Sequence, residues 1–402
     1  MAHYFRIGAL SALMLCLSSA KLASAANATS QEAEQMLAKA VSQIEAQQLT
    51  QALTTLDQLV QRYPHFQLAQ MMRADLLLAQ THALANIGGQ LDAQKTQALQ
   101  AEARARLNAS TYLAQQQQPA YLLGNLPNWL KHIITIDLTA SRAYLFNVNQ
   151  QQLNFSGSFY ITQGSKGAGK EKEGDKRTPI GIYRMTQPIP AQKLSGFYGA
   201  GALPLDYPNS WDKRNKRTGH GIWLHGTPLE QYSRPPLASD GCVVFSNDDM
   251  SYLLKQVDWK ATRVITDQSL QWTTNEVQHQ PNEKDALSNQ LQQRIEAWRN
   301  AWEKQQANSY LNFYAADFNS QKGENKSQWT TRKQQLFALN QTHHIQINGL
   351  LLLRYPSQGD LVVAEFEQRY QRGSKIDVER KRLWWQQQQG EWLIIYEEVL
   401  SN

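Results

Sequence analysis

The sequence predicts a multidomain chain with an α-helical front, a mainly-β middle and an α+β tail. Three observations carry this. Apolar residues recur at helical spacing before Gln115, they alternate from Ile133 to Asp267, and helices then long strands follow Asp285. At roughly 150 residues per domain, 402 residues make two or three domains. Apolar residues are 42% of the chain, too many for a disordered polymer. The formal charge of +6 is too mild for a dedicated nucleic-acid binder. Past the N-terminus no apolar run approaches the roughly 18 residues of a membrane helix, which excludes a polytopic membrane protein.

Residues 1–25 read as an export signal: Arg6, the apolar stretch Ile7 to Leu17, and the small-residue site Ala23-Ser24-Ala25. An uncleaved anchor is the alternative. Leu15 is too large for a lipid-attachment box, so Cys16 is expected to leave with the signal. The expected product starts near Ala26 and is soluble in the periplasm. Its one thiol, Cys242, has no intramolecular disulfide partner and is either buried and inert or kept for its reactivity.

Residues 26–130 are expected to be helical and then a linker. Leu37, Val41 and Ile44 share one helical face, as do Leu53, Leu56 and Val60; Tyr63-Pro64 ends that helix, and Phe66 to Ala79 starts another. The stretch ALTTLDQLVQRYPHFQLAQ looks like one tetratricopeptide unit, fewer than a solenoid needs. A helical cap on the next domain is favoured over a partner-docking module. A further helix is expected over Asp92 to Gln115, and Pro119 and Pro127 mark the linker.

The β region, residues 131–267, has strands at Ile133–Ile136, Ala143–Phe146, Phe159–Ile161, Ile182-Tyr183, Ile222–Leu224 and Arg263–Ile265. It holds 17 Lys and Arg against 12 Asp and Glu, with a cluster at Lys213, Arg214, Lys216 and Arg217. That cluster is either a solvated loop or an attraction for a carboxylate-bearing polymer. After the polar linker Asn275 to Glu283, residues 283–402 are expected to form three helices (Asp285–Gln306, Ser309–Phe318, Gln328–Asn340) and four strands (His344–Tyr355, Leu361–Gln371, Asp377–Gln386, Glu391–Val399). Helices before a long-stranded sheet resemble the nuclear-transport-factor-like cone. Trp298 and Trp302, at i and i+4, are expected in its core rather than on a sugar. This tail is expected to fold alone.

The chemistry concentrates in His225-Gly226-Thr227-Pro228 and Ser239-Asp240-Gly241-Cys242-Val243-Val244. A thiol needs a base to react near neutral pH, and His225 closes a rigid apolar strand. The loop between them is long enough to return Cys242 to it. Gly241 permits a tight turn whose amides could face an oxyanion. Asp240, two residues from the thiol, is better placed to hold the loop than to complete a triad. From spacing alone a buried structural Cys remains open. No metal-ligand set is apparent: His343-His344 lacks a carboxylate or Cys partner at useful spacing. GSKGAG (Gly164–Gly169) lacks the strand-to-helix setting of a phosphate loop.

These residues carry a resemblance. HGTP followed by SDGCVVFSNDD, 17 positions from His225 to Cys242, resembles the L,D-transpeptidase catalytic motif. KEKEGDKRTPIGIYRM (Lys170–Met185) resembles that family's second signature, and ITIDLTASRAYLFNV its opening hairpin. The resemblance implies a β-sandwich-like domain acting on peptidoglycan stem peptides; no cofactor is expected. It makes Cys242 the nucleophile, His225 the base and the Gly226 carbonyl the orienter of the imidazole. It places the Gly241 and Cys242 amides at the oxyanion and leaves Ser239 and Asp240 as substrate-contact candidates. The acyl acceptor would be a stem-peptide amine, a lysine of an outer-membrane protein, or water. A cell-wall partner would dock on the helical or C-terminal region. Asp240 and Val244 depart from common family residues. A scaffold built on a retired transpeptidase domain is the rival reading.

Overall fold

The computed structural model describes residues 31–80, 88, 92–107, 117–274, 283–339 and 342–400. The expected signal lies outside these residues, as do most of the linker after Asn275 and the expected end of the fourth helix. Among the described residues no helix is long and apolar enough to cross a membrane.

The front is helical over 31–45, Leu49–Arg62, Gln67–Ala79 and Ala93–Leu107. Its core follows the helical period: Ala33, Leu37 and Ala40 on the first helix meet Ala52, Leu56 and Leu59 on the second, with Phe66, Leu68 and Ala69. The fourth helix differs. Apart from Leu99, its buried residues are Glu102 and Arg106, a charged pair turned toward the β domain. Tyr232 of the β domain packs against the helical core in return. The helical front therefore packs directly on the β domain.

The β domain stacks two sheets. The larger runs Gln152–Tyr160, Arg142–Asn149, His132–Asp137, Thr262–Asp267, Gly181–Arg184; only His132–Asp137 with Thr262–Asp267 is parallel. The smaller runs Val243–Val244, Trp223–His225, Gly201–Pro204, Ile189–Pro190. Ile134, Ile136, Leu145, Leu203, Leu224, Val243 and Val264 fill the space between them. The six strands expected here are all present, and their alternation puts every second residue in this core.

The tail is α+β. A sheet of Tyr314–Ser320, Glu391–Leu400, Lys375–Gln388, Leu361–Arg372, His343–Arg354 and Leu122–Leu123 covers the helices Glu283–Glu303, Ala307–Leu311 and Lys326–Ala338. Trp298 is fully buried and Trp302 packs at the edge of the same core. The expected helix Ser309–Phe318 stops at Leu311, and Tyr314–Ser320 is a strand parallel to Glu391–Leu400. Tyr310, Tyr314 and Phe318 stand at i, i+4, i+8 and mimic a helix; the open edge beside Glu391–Leu400 decides the matter.

Two further expectations are corrected. The segment around Pro119 is no free linker: Gln117–Pro119 pairs with Trp272–Thr274, and Leu122–Leu123 forms the last strand of the tail's sheet. Nor is the tail independent of the β domain. Ile133, Phe146, Ile182, Trp211 and Ile265 share one core with Leu353, Tyr355, Val363, Trp384 and Ile395. Arg263 and Arg382 clasp Glu365 across that junction, all three at most 2% exposed. Half of the basic cluster is spent locally. Arg214 pairs with Asp317 of the tail and Arg217 with Asp212, while Lys213 and Lys216 face solvent.

Candidate active site

Strand register brings the two predicted reactive groups to one face. Trp223–His225 pairs in parallel with Val243–Val244, Leu224 opposite Val243 and His225 opposite Val244. Side chains alternate, so Leu224 and Val243 enter the core while His225 and Cys242 project to the other side. His225 is 2% exposed, with its ring edge-on to Tyr198 at 5.0 Å and beside Phe197 at 6.2 Å. Its Nδ1 lies 2.7 Å from the Gly226 carbonyl. A carbonyl only accepts, so Nδ1 carries the proton and Nε2 keeps its lone pair. Burial pushes the imidazole down to about 4; the Gly226 carbonyl opposes this and the Arg234 charge adds to it.

Cys242 is half-buried, and its Sγ donates to the Gly221 carbonyl at 3.3 Å. Burial raises the thiol above its ordinary range. The Trp223 backbone N–H acts the other way, Asp240 adds to the rise, and Lys170 and Arg234 lower it. The resting pair is therefore a neutral thiol and a neutral imidazole.

The turn before Cys242 is held from both sides. Ser239 Oγ donates to the Cys242 carbonyl at 2.6 Å and accepts from the Gly241 N–H at 3.1 Å. Thr178, from the second signature, donates to the Gly241 carbonyl at 3.0 Å and accepts from the Gly164 N–H at 2.9 Å. Gly241 has φ +126°, and a Cβ there would lie 2.7 Å from the Arg177 carbonyl oxygen, so only glycine fits. Two assignments change. The Gly241 amide faces Ser239 instead of an oxyanion, and Ser239 is a buried brace of the turn instead of a substrate contact. The Cys242 N–H has no hydrogen-bond partner among the described residues and stays open to an oxyanion. Asp240 is 86% exposed and reaches Lys176 at 3.5 Å, a solvated pair at the rim.

The second signature forms its own knot. Asp175 accepts from Lys170 Nζ at 2.8 Å and from the amides of Glu171, Lys172 and Arg177, which hold its carboxyl down to about 2 against its burial. This sets the backbone that leads to Thr178.

Sequence reasoning missed two residues. Asn247, first residue of the helix Asn247–Gln256, clamps the turn after His225: its Oδ1 accepts from the Ala200 N–H at 2.8 Å and its Nδ2 donates to the Thr227 carbonyl at 2.9 Å. A Cβ on Gly226 would sit 2.3 Å from that Oδ1. The Asn stood inside the quoted SDGCVVFSNDD motif, but its role depends on the turn it reaches. Arg234 sits in the loop between the reactive residues, its guanidinium 5.4 Å from the Phe197 ring. His344 does find a carboxylate across the fold, hydrogen-bonding through Nδ1 to Glu303. Among the described residues no three His, Cys, Asp or Glu side chains gather as a metal site requires.

The site thus holds a buried imidazole and a half-buried thiol on one face of two adjacent strands, with the Cys242 N–H open beside them. Residues 131–266 match the family model of the L,D-transpeptidase catalytic domain, and residues 290–398 that of the Cds6 C-terminal NTF2-like domain. The chain thus carries an L,D-transpeptidase-family domain followed by an NTF2-like domain. Among solved structures it is similar to Bd1075 of Bdellovibrio bacteriovorus, at 25% identity and a TM-score of 0.59, covering 71% of this chain and 99% of that one. It is also similar to Pgp2 of Campylobacter jejuni, described as a helical cell shape determining protein. There the identity is 22%, the TM-score 0.59, and the coverage 71% of this chain and 98% of the other. No curated protein matches the sequence significantly.

Proposed function

We propose that the chain is an exported, periplasmic L,D-transpeptidase that acts on peptidoglycan tetrapeptide stems through Cys242. The observation that carries this is the register that sets a half-buried thiol and a buried imidazole on one face of adjacent strands, both held by dedicated braces. Substrate entry takes the place of the Gly221 hydrogen bond. The Cys242 proton passes to His225 Nε2 as sulfur attacks the carbonyl of the third stem residue. The Cys242 N–H receives the oxyanion. The carbon–nitrogen bond to the terminal D-alanine then breaks, His225 returns the proton to the leaving amine, and a thioester remains. An amine or water takes the acyl group by the reverse proton path and frees the thiol. An amine of another stem gives a 3→3 cross-link, a lysine of an outer-membrane protein gives anchoring, and water gives trimming. A role in cell shape fits the resemblance to Pgp2.

The rival, a non-catalytic cell-wall-binding scaffold, draws on one observation: the resting thiol is hydrogen-bonded to Gly221 and un-ionised. Muropeptide profiles of cells making wild-type protein or Cys242→Ala separate the two. Loss of tetrapeptides with gain of cross-linked dimers or tripeptides, in wild type only, supports the enzyme and names the acceptor. Identical profiles support the scaffold.

A further inference from the structure

The loop from Thr227 to Ala238, which joins the base to the nucleophile, is strapped to the helical front. Tyr232 packs at a tilt against Phe66 at 4.5 Å and Tyr63 at 5.2 Å, and its N–H donates to the His65 carbonyl at 3.3 Å. Next to it, Ser233 Oγ donates to Glu102 at 2.6 Å, and Glu102 pairs with Arg106 at 2.9 Å. Arg106 lies 3.9 Å from the Tyr160 ring and also pairs with Glu34 of the first helix. A buried carboxylate and guanidinium are costly unless each is satisfied. Here their satisfaction requires the helices and the loop to be docked together.

The residue thus presented is Arg234. Its own carbonyl is pinned by Tyr160 Oη at 2.9 Å and Thr162 Oγ at 2.8 Å. Its guanidinium donates one hydrogen bond, to the Ala238 carbonyl, and rests over Phe197, whose ring neighbours His225. It forms no ion pair among the described residues. An arginine spends five donors in a fixed fork suited to a carboxylate. With its guanidinium 5.4 Å from the Phe197 ring, and that ring 6.2 Å from His225, the charge stands beside the reacting centre. In the reaction above, the nearest anionic group to the scissile bond is the carboxylate of the terminal residue that leaves.

We infer that Arg234 receives the terminal carboxylate of the stem peptide, and that the helical front, through Tyr232, Ser233 and Glu102, is the strap that positions it. This rests on the transpeptidase reading and gives the helical region a task within it: selecting stems with a free terminal carboxylate. Tyr232, Ser233 and Glu102 are positioning residues; Arg234 is substrate-binding.

The test uses the full chain and two synthetic stems, L-Ala-γ-D-Glu-meso-diaminopimelate-D-Ala and the same peptide ending in D-alaninamide, with kcat/KM measured on each. Loss of a charge-assisted hydrogen bond corresponds to about 10- to 100-fold. Wild type should prefer the acid by that factor, chiefly in KM. Arg234→Gln should abolish the preference and Arg234→Lys should restore part of it. Tyr232→Ala should shrink it as well, a change in substrate discrimination that general destabilisation would not produce. Ser233→Ala, which removes one hydroxyl, should shrink it less and decides the matter should Tyr232→Ala not fold. A preference that survives in Arg234→Gln overturns the carboxylate assignment. A preference unchanged in both Tyr232→Ala and Ser233→Ala overturns the strap. A wild type that turns over neither stem overturns the transpeptidase reading itself, and this inference with it.

Discussion

Glu365→Gln should be among the most damaging single substitutions far from the thiol. Glu365 is fully buried between Arg263, with Nε at 3.0 Å and Nη2 at 2.5 Å, and Arg382, with Nη2 at 2.7 Å. The substitution keeps the shape and removes the charge, leaving Arg263 without a counter-ion and Arg382 with only Glu398, at 3.5 Å. Breaking a buried pair in this way costs about 3–5 kcal/mol. At about 2–4 °C per kcal/mol for a folding unit of this size, Tm should fall by about 6–20 °C. The two arginines hold the Glu365 carboxyl well below the usual carboxylate range, against its burial. A depressed carboxylate contributes stability that is fully present above the unfolded value near 4.3 and lost as pH falls through the folded value. The wild-type advantage over Glu365→Gln should therefore shrink below about pH 4. Because the triad joins two domains that share a core, differential scanning calorimetry should show one transition over both. A drop of under 2 °C, or a tail that melts apart from an undisturbed β domain, would refute the reasoning.

Other expectations follow from the site. Asn247→Ala removes the clamp on the turn behind His225, and kcat should fall about 10- to 100-fold with KM nearly unchanged; a KM effect alone would place Asn247 in binding. Gly241→Ala forces a Cβ against the Arg177 carbonyl at positive φ, costing about 1–3 kcal/mol and displacing the thiol, so acylation of Cys242 by a tetrapeptide stem should be lost or much slowed. The imidazole stays unprotonated down to about 4, so the acid limb of wild-type acylation should lie near pH 4. His225→Ala should instead depend on free thiolate and climb about tenfold per pH unit up to the raised thiol value. A wild-type limb at 6.5 would mean that His225 is not the base, or is solvated.

Much of the β domain was legible because its chemistry is local. A histidine closing an apolar strand, a glycine before a cysteine, and alternation in Ile133–Ile136 each encode their own geometry. The rest depends on what lies across the fold. Gly241 could offer its amide to a ligand or to Ser239, and only the closed turn decides. Arg234 reads as one more loop arginine until Tyr232 is seen inserted among helices more than a hundred residues earlier. Leu122 and Leu123 become a strand only because His343–Arg354 leaves them an edge. Tyr310, Tyr314 and Phe318 satisfy helical spacing and strand burial alike. Glu365, Arg263 and Arg382 lie on strands whose sequences show ordinary charges, and nothing local marks them as one buried cluster.

The central claim is that Cys242 forms a thioester with His225 as its base. Intact mass spectrometry of the protein quenched during turnover of a tetrapeptide stem tests it most directly. The expected result is an adduct of the stem less its terminal D-alanine on wild type, none on Cys242→Ala, and formation about 100- to 10,000-fold slower on His225→Ala. Absence of any adduct on wild type, under conditions where a small neutral thiol reagent also fails to reach Cys242 in the folded protein, would contradict the account and leave a buried structural cysteine in a scaffold.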